Sequence, residues 1–443
     1  MCRSWGRWLP CLGSGACLVF VLYWTTCPAS AQAPADKLIE KRIKFLGKME
    51  PEAREPFVLS PNGDRLAYVT AKWDKEKKVS LMRFFCDGKP EGHYKSFTEI
   101  TFSPDGKRLA YFAVIRAGGK RVLVCDGKES PSPDTRCGFA FSADSSHLAY
   151  VTRERMVRDG KPIDTVVGST GEPVFSPNSR HLAYQGGYQP KRGIVIDGYK
   201  GPGFEDVGVP AFSPDSKRLA YAFCQGGKWG VTCGKTRRGP YDEVGKLIFS
   251  IDSQALAYRA RKGTKWFMVY GKTKGPSFAE VHDPVFALRG KHFAYAATDR
   301  DSWFIIRDGK KGPGYNEIGP PVFSPDGKHL AHHATRDGKT FVVCDGRETK
   351  DYEQITWLGF SPDSKHLAFC VARVGKKLII CDGLESPEHD DLLVPERFAD
   401  GLYKLRYVAI DAGKEKDTKA PWLVEVDWPV VTEWFDGFNP AKK

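Results

Sequence analysis

The apolar and polar positions of this chain repeat one sentence about nine times. It reads Phe-Ser-Pro-Asp-Gly-Lys-Arg-Leu-Ala-Tyr from Phe102 to Tyr111. It returns as FSADSSHLAY from Phe141, FSPNSRHLAY from Phe175, FSPDSKRLAY from Phe212 and FSIDSQALAY from Phe249. Worn copies start at Leu59 and Phe286, and clear ones at Phe323 and Phe360. From Phe175 to Phe360 the step is a constant 37 residues. A fixed period of this size marks an architecture in which each unit buries its apolar face only against its neighbours.

One unit, Pro321 to Gly359, predicts four short strands. Pro321 to Phe323 enters a Ser-Pro-Asp-Gly turn, in which Pro325 presets φ and Gly327 is free to take φ > 0. Lys328 to Ala334 is the second strand. Arg336 to Lys339 turns into Thr340 to Cys344, a β-branched and aromatic third strand. After Asp345-Gly346-Arg347, the stretch Asp351 to Ile355 is expected to be the fourth. Four antiparallel strands in about 40 residues make a propeller blade. The expected fold is all-β, a β-propeller of four-stranded antiparallel blades. The small Ala of Leu-Ala-Tyr lets the adjacent blade approach. Trp229, Trp266 and Trp303 on third strands, and Tyr241, Phe278, Tyr315 and Tyr352 on fourth strands, read as packing.

A degenerate tenth unit runs from Phe398 to Ile410, with Leu405-Arg406-Tyr407 for Leu-Ala-Tyr and Trp422 to Val426 as third strand. It lacks a fourth strand of its own, and Ile43 to Leu46 is placed to supply one and close the ring. The count is therefore eight to ten blades in one ring. Two smaller propellers are the competing arrangement, but the unbroken step leaves no linker between them.

The repeated sentence resembles that of the TolB-type, WD-like β-propellers of bacterial envelope proteins and of the propeller domains of prolyl oligopeptidases. The resemblance covers about Phe57 to Ala409 and implies a scaffold, since the repeats are framework rather than site. The chain has more repeats than TolB and no recognisable N-terminal α/β domain. It carries no Gly-x-Ser-x-Gly elbow, the hydrolase signature of the peptidases.

Composition then places the chain in the cell. Arg3 and Arg7 precede an apolar stretch from Leu9 to Trp24, and Ala29-Ser30-Ala31 has the small-x-small pattern of a signal-peptidase site. The expected division is a signal peptide over 1–31, a leader over 32–42, the repeat domain over 43–434 and a tail over 435–443. The mature chain is expected to be periplasmic or secreted, with no transmembrane segment. Net charge is +13, or +11 once Arg3 and Arg7 leave. This favours anionic partners: an envelope or extracellular protein first, then an anionic surface or a glycan. Nucleic acid fits an exported protein poorly.

Candidate chemistry is sparse. Cys86, Cys125, Cys344 and Cys381 share a slot before an Asp-Gly turn with Ile196 and Arg307, which marks a strand position rather than a metal or disulfide framework. Cys224 and Cys233, on adjacent strands, are the one candidate pair for oxidation. His147, His181, His292, His329 and His366 share a slot with Arg65, Arg108 and Arg218, which reads as a solvated strand position. His332-His333 departs from the repeat, but neighbouring strand residues point to opposite faces. No metal site and no cofactor are expected.

First-to-second and third-to-fourth turns share one face of the ring. That face is expected to be basic through Lys107, Lys217, Lys328 and Lys365, with Lys89, Lys128, Lys310 and Arg347 from the second set of turns. An acidic series, Glu99, Asp206, Glu243, Glu280 and Glu317, is expected near fourth-strand ends toward the opposite face. Turn carboxylates such as Asp105, Asp326 and Asp363 stand ready to neutralise the lysines. The loops entering the innermost strands vary most between repeats, so Glu172, Lys246, His282, Asp283 and Trp357 are the channel-mouth binding candidates. His282 with Asp283 suits acid–base chemistry, but no nucleophile is positioned and no catalytic residue is assigned. The reading is a non-catalytic scaffold binding a protein or envelope component; its alternative is an enzyme or carbohydrate-binding protein with a site at the channel mouth.

Overall fold

The computed structural model describes residues 40–45, 53–394, 404–412 and 419–427, apart from 62, 75–78, 116–118, 132–137, 153–154, 164–170 and 189. The expected signal peptide and C-terminal tail lie outside the described residues, as does Cys137. The described chain is strand throughout, in ten separate antiparallel sheets of four or five strands. The fold is the expected β-propeller, with ten blades. Numbered in chain order, their second strands are Leu66–Asp74, Leu109–Val114, Leu148–Val151, Leu182–Tyr188, Leu219–Gln225, Leu256–Lys262, Phe293–Thr298, Leu330–Arg336, Leu367–Arg373 and Lys404–Ala412.

Blade 8 shows the plan. Its first strand is broken into Glu317–Ile318 and Val322–Phe323, both paired with Leu330–Arg336. The third strand is Lys339–Cys344 and the fourth is Arg347–Glu348. One expectation needs correcting here. The stretch taken as this unit's fourth strand opens the next blade, because Gln354–Phe360 pairs with Leu367–Arg373. The aromatic anchors do line up as expected: Tyr241, Phe278 and Tyr315 pair with Trp229, Trp266 and Trp303, and Tyr352 bridges Thr340.

Ring closure is visible in the tenth sheet. There Glu40–Phe45 pairs with Lys419–Asp427, which pairs with Lys404–Ala412 and then Asp391–Leu393. Both ends of the described chain thus share one blade. The closing strand begins at Glu40, inside the segment assigned to the leader.

The alternation of Leu-Ala-Tyr explains the joints. Side chains alternate across a strand, so Leu and Tyr face one neighbour while Ala and the residue after Tyr face the other. Leu182 and Tyr184 pack on Ala149 and Val151 of blade 3; Leu66, Tyr68 and Phe85 pack on Val408, Ile410 and Leu423 of blade 10. Apolar clusters of this kind fill the joints all the way round. Six of the tyrosine positions, Tyr68, Tyr111, Tyr184, Tyr258, Tyr295 and Tyr407, are under 2 % exposed. Each such side chain contributes about 1.5–3 kcal/mol of apolar burial, so joint packing dominates the stability. The outer edges are blunted. The fourth strands Thr236–Tyr241, Thr273–Phe278 and Lys310–Tyr315 each carry lysine or arginine and a Gly-Pro or Pro that cannot extend a ladder.

Candidate functional site

Polar side chains of the repeat go first into fastening turns to one another. The repeat serine is buried in every clear copy. Ser103 donates to Asp105 at 2.6 Å and accepts from the backbone N–H of Arg108 at 2.9 Å. The Ser103 hydroxyl first, and then the Lys107 N–H, hold the Asp105 carboxyl below the usual carboxylate range. Seven blades, 1 to 4 and 7 to 9, close the third-to-fourth connection with Asp-Gly, both residues at positive φ as a type I′ turn requires (Asp126 at 50° and Gly127 at 76°). The aspartate clasps the neighbouring turn. Asp126 accepts from the Leu109 N–H at 3.0 Å and from Arg108 Nε at 3.1 Å. In the histidine repeats, Nδ1 of His147, His181, His292, His329 and His366 lies 2.6–2.7 Å from the equivalent aspartate.

The histidine slot is therefore a clasp and not merely a solvated position, a role the slot-by-slot reading missed. The signal was in the sequence. Where the clasping residue becomes Ala255, the turn aspartate becomes Gly271; opposite Arg218 it becomes Gly234. A second fastening crosses the joints, where a cation lies over the phenylalanine of the next blade. Arg65 covers Phe102 at 5.1 Å, Arg108 covers Phe141 at 5.2 Å, and Arg218 covers Phe249 at 5.2 Å. In blades 3 and 7 the cation comes from the cysteine slot instead, as Arg158 over Phe175 and Arg307 over Phe323, both at 5.5 Å.

The cysteines follow the same logic. Burial pushes the Cys86 thiol up to about 12 and that of Cys125 up to about 11, so neither is nucleophilic at neutral pH. Cys224 and Cys233 do not form the candidate disulfide. Cys224 pairs with Trp229 and Cys233 with Ala220, four residues apart along the hairpin and about 13 Å, well beyond bridging reach. Cys233 belongs to the same slot as Cys86.

The channel wall carries what the repeat does not specify. First strands of successive blades meet one another, as Ala211–Phe212 meets Ile248–Phe249, so their interruptions face the axis. By register, Glu172, Lys246, Asp283 and Trp357 occupy one equivalent position, two residues before the residue paired with the repeat alanine. Lys246 and Asp283 lie in the breaks between the two pieces of their innermost strands, Glu172 just before Val174–Phe175, and Trp357 inside Gln354–Phe360. Glu99, counted in the acidic series, shares this position in blade 2. Gly138 shares it in blade 3, where an added Cβ would fall 2.6 Å from Glu172. Glu99 is held above its ordinary range by burial, with the Glu172 charge adding to the effect and Arg121, at 3.2 Å, opposing it.

The richest part of the wall is the joint between blades 6 and 7. Arg259 Nε lies 3.2 Å from Asp283 Oδ1, an ion pair without hydrogen-bond alignment, while its Nη1 donates to the Val281 carbonyl at 3.1 Å. His282 stacks on Trp303 with centroids 4.7 Å apart, and its Nε2 is 3.5 Å from Glu280 Oε1. His282 and Asp283 are thus engaged with different partners instead of forming one acid–base pair. Gln185, in the same strand position as Arg259, bonds the Val207 carbonyl of blade 5 at 2.5 Å. Trp357 is half-buried and packs against the joint between blades 9 and 10. His332 and His333 point apart as expected. His332 is buried against Tyr315 and brought down to about 4 by that burial, and His333 lies over Gly319.

On the two faces, Lys107 and Lys328 lie 3.7 and 3.6 Å from Asp105 and Asp326. Lys217 and Lys365 are exposed at equivalent turns. Four of the acidic series, Asp206, Glu243, Glu280 and Glu317, start innermost strands and not fourth strands, while Glu99 lies inside one. Arg261 pairs with Glu243 at 3.1 Å, Arg192 with Asp206 at 3.0 Å and Arg121 with Glu99. Among the described residues, no helix is long and apolar enough to cross a membrane, and no three His, Cys, Asp or Glu side chains group as metal ligands.

No protein-family model matches the chain, and no curated protein matches it. Solved structures similar to it include dihydro-heme d1 dehydrogenase NirN in complex with DHE (12% identity, TM-score 0.35, 64% of this chain and 70% of that one). TolB from Acinetobacter baumannii is 13% identical with a TM-score of 0.27, over 74% of this chain and 80% of that one. The Dos1 propeller is 12% identical with a TM-score of 0.38, over 76% and 95%. Likeness at this distance says nothing of activity, and the TolB-type repeat stands as a resemblance.

Proposed function

We propose that the protein is an exported, non-catalytic propeller scaffold that binds a protein or another envelope component. The observation that carries this reading is where the polar residues go. The repeat's serines, aspartates, histidines and arginines are engaged in clasps between turns and rivets between blades. The channel wall and the turn tips also differ from blade to blade, which is where a binding surface is tuned without disturbing a scaffold. Export rests on the leader pattern at Arg3 to Ala31. In-cell crosslinking followed by mass spectrometry at low and high salt tests the reading. Salt-resistant enrichment of one or two envelope proteins is expected; enrichment that disappears at high salt sinks it.

The second reading, a carbohydrate or other small-ligand site in the channel, is favoured by one arrangement only. Arg259, Glu280, His282 and Asp283 gather with Trp303 at a single joint. A thermal shift with sugars that disappears in His282→Ala or Asp283→Ala would promote it.

A further inference from the structure

The turn-bearing face is not uniformly basic. Blades 5 and 6 replace the Asp-Gly turn by Gly-Lys, with positive φ at Gly234 (58°) and Gly271 (56°) and not at the lysine that follows. That is the type II′ requirement of glycine first, and it places Lys235 and Lys272 where the other blades place glycine. The exchange removes a carboxylate and adds an exposed cation at each tip. Blade 7 keeps its aspartate but puts Arg289 and Lys291 in its worn first turn. In the two turn sets of blades 5 to 7, seven lysines and arginines face three carboxylates; in those of blades 1 to 3, six face six. The three carboxylates are engaged locally: Asp215 by Ser213 and the Lys217 N–H, Asp252 by Ser250, and Asp308 by His292.

The same sector carries exposed aliphatic tips. The residue after the repeat serine is proline in most copies, but in blade 6 it is Ile251, 44% exposed, and the equivalent in blade 7 is Leu288, 62% exposed. Leu288 shares its turn with Arg289 and Lys291, and Ile251 belongs to the same blade as Lys272. Nothing in the fold needs an apolar side chain at a turn tip.

We infer that blades 5 to 7 form a docking sector for an anionic phospholipid surface. Lys217, Lys235, Lys272, Arg289 and Lys291 would meet the headgroup phosphates, and Leu288 and Ile251 would enter the headgroup layer. Cations alone would suit an acidic protein equally. The aliphatic tips rising between them favour lipid, which offers a soft apolar layer beneath its charge. The inference deepens the binding-scaffold reading but fails separately, since a crosslinked protein partner is neither required nor excluded by it.

The test is co-sedimentation of the purified protein with phosphatidylcholine vesicles containing or lacking phosphatidylglycerol, across a sodium chloride series. Binding to the anionic vesicles alone, weakening with salt, is expected. The triple variant Lys235→Glu, Lys272→Glu, Lys291→Glu should bind about a hundredfold more weakly, at about fivefold per lysine removed. A control triple of equal charge change in blades 1 and 2, Lys89→Glu, Lys107→Glu, Lys128→Glu, should lose far less. Leu288→Ser should lose about fivefold with the charge intact. Equal losses from the two triples, equal retention on neutral vesicles, or retention on a polyaspartate resin with none on vesicles would each overturn the lipid assignment. The last would replace it with an acidic protein.

Discussion

Blades 1 to 3 and blades 5 to 7 are written in the same repeat and finish their outer turns differently. In the first group every third-to-fourth turn holds an aspartate that ties down the turn beside it, through Arg65, Arg108 or His147. In blades 5 and 6 the aspartate is gone, Arg218 keeps only its stacking on Phe249, and Ala255 has no polar group to offer. The apolar joints continue unbroken through both regions. Joint packing therefore carries the ring, and the clasp is an increment that blades can lose. Where it is lost, the carboxylate leaves with it and the face turns basic. A local structural economy and a surface property are set by the same pair of turn residues.

If packing outranks clasping, the largest response should come from a joint and not from a clasp. Acid provides a test at one joint. His332 takes the place of the joint tyrosine in blade 8, and burial lowers it from 6.5 to about 4. Between those values the unfolded chain binds a proton that the folded chain refuses, so stability falls as pH drops from 6.5 toward 4. The whole window is worth about 3 kcal/mol. His332→Phe, the residue that blade 9 uses as Phe369, should flatten that limb in urea melts at pH 7 and pH 4.5. An unchanged acid limb would mean that His332 does not set it, and would take this joint from the top of the ranking. Next in size is Asp126→Ala in blade 2, which strands the Leu109 N–H and should cost about 2 kcal/mol. The half-exposed ion pair to Arg108 adds little to that. Lys235→Ala in blade 5 should change stability by less than about 0.5 kcal/mol in the same melts.

How much of this was legible depends on whether a feature recurs. The period yields the blade, the Leu-Ala-Tyr alternation yields the joint, and even the closing strand around Ile43 was readable because the tenth unit visibly lacked one. Phase was harder. A periodic chain does not say where a blade begins, so the Glu-Val and Glu-Ile dipeptides were given to the end of one unit when they open the next. The choice of Glu172, Lys246, Asp283 and Trp357 succeeded in finding one register position by its departures from the repeat. The clasps join slots on different strands, so a slot taken alone does not show them: seven blades set Arg or His against Asp, blade 6 lacks both, and blade 5 keeps Arg218 without the aspartate.

The clasp missing from blade 5 can be rebuilt. Gly234→Asp with Lys235→Gly would give blade 5 the Asp-Gly turn of its neighbours, opposite an Arg218 already in place. Stability should rise by about 1 kcal/mol, while binding to anionic vesicles should fall; the two readouts move in opposite directions only if the clasp and the basic sector are alternatives. The same exchange at Gly271 and Lys272 should stabilise less, since Ala255 cannot complete it.

The first turn is where the groups differ again. Blades 1 and 2 use Gly63 and Gly106 at a positive-φ position that blades 3 to 6 fill with serine. Ser216, at φ 60°, accepts the backbone N–H of Asn178 from blade 4 at 3.0 Å. The hydroxyl repays a left-handed conformation that costs a non-glycine residue about 1 kcal/mol. Ser216→Ala keeps the strain and loses the bond, and should destabilise by about 1 kcal/mol in urea melts. Ser216→Gly loses both and should come within about 0.5 kcal/mol of the parent. Equal losses for the two would mean that the hydroxyl alone matters. Equal neutrality would mean that the joint between blades 4 and 5 is held by Phe204, Val207 and Ile194 without help from its turns.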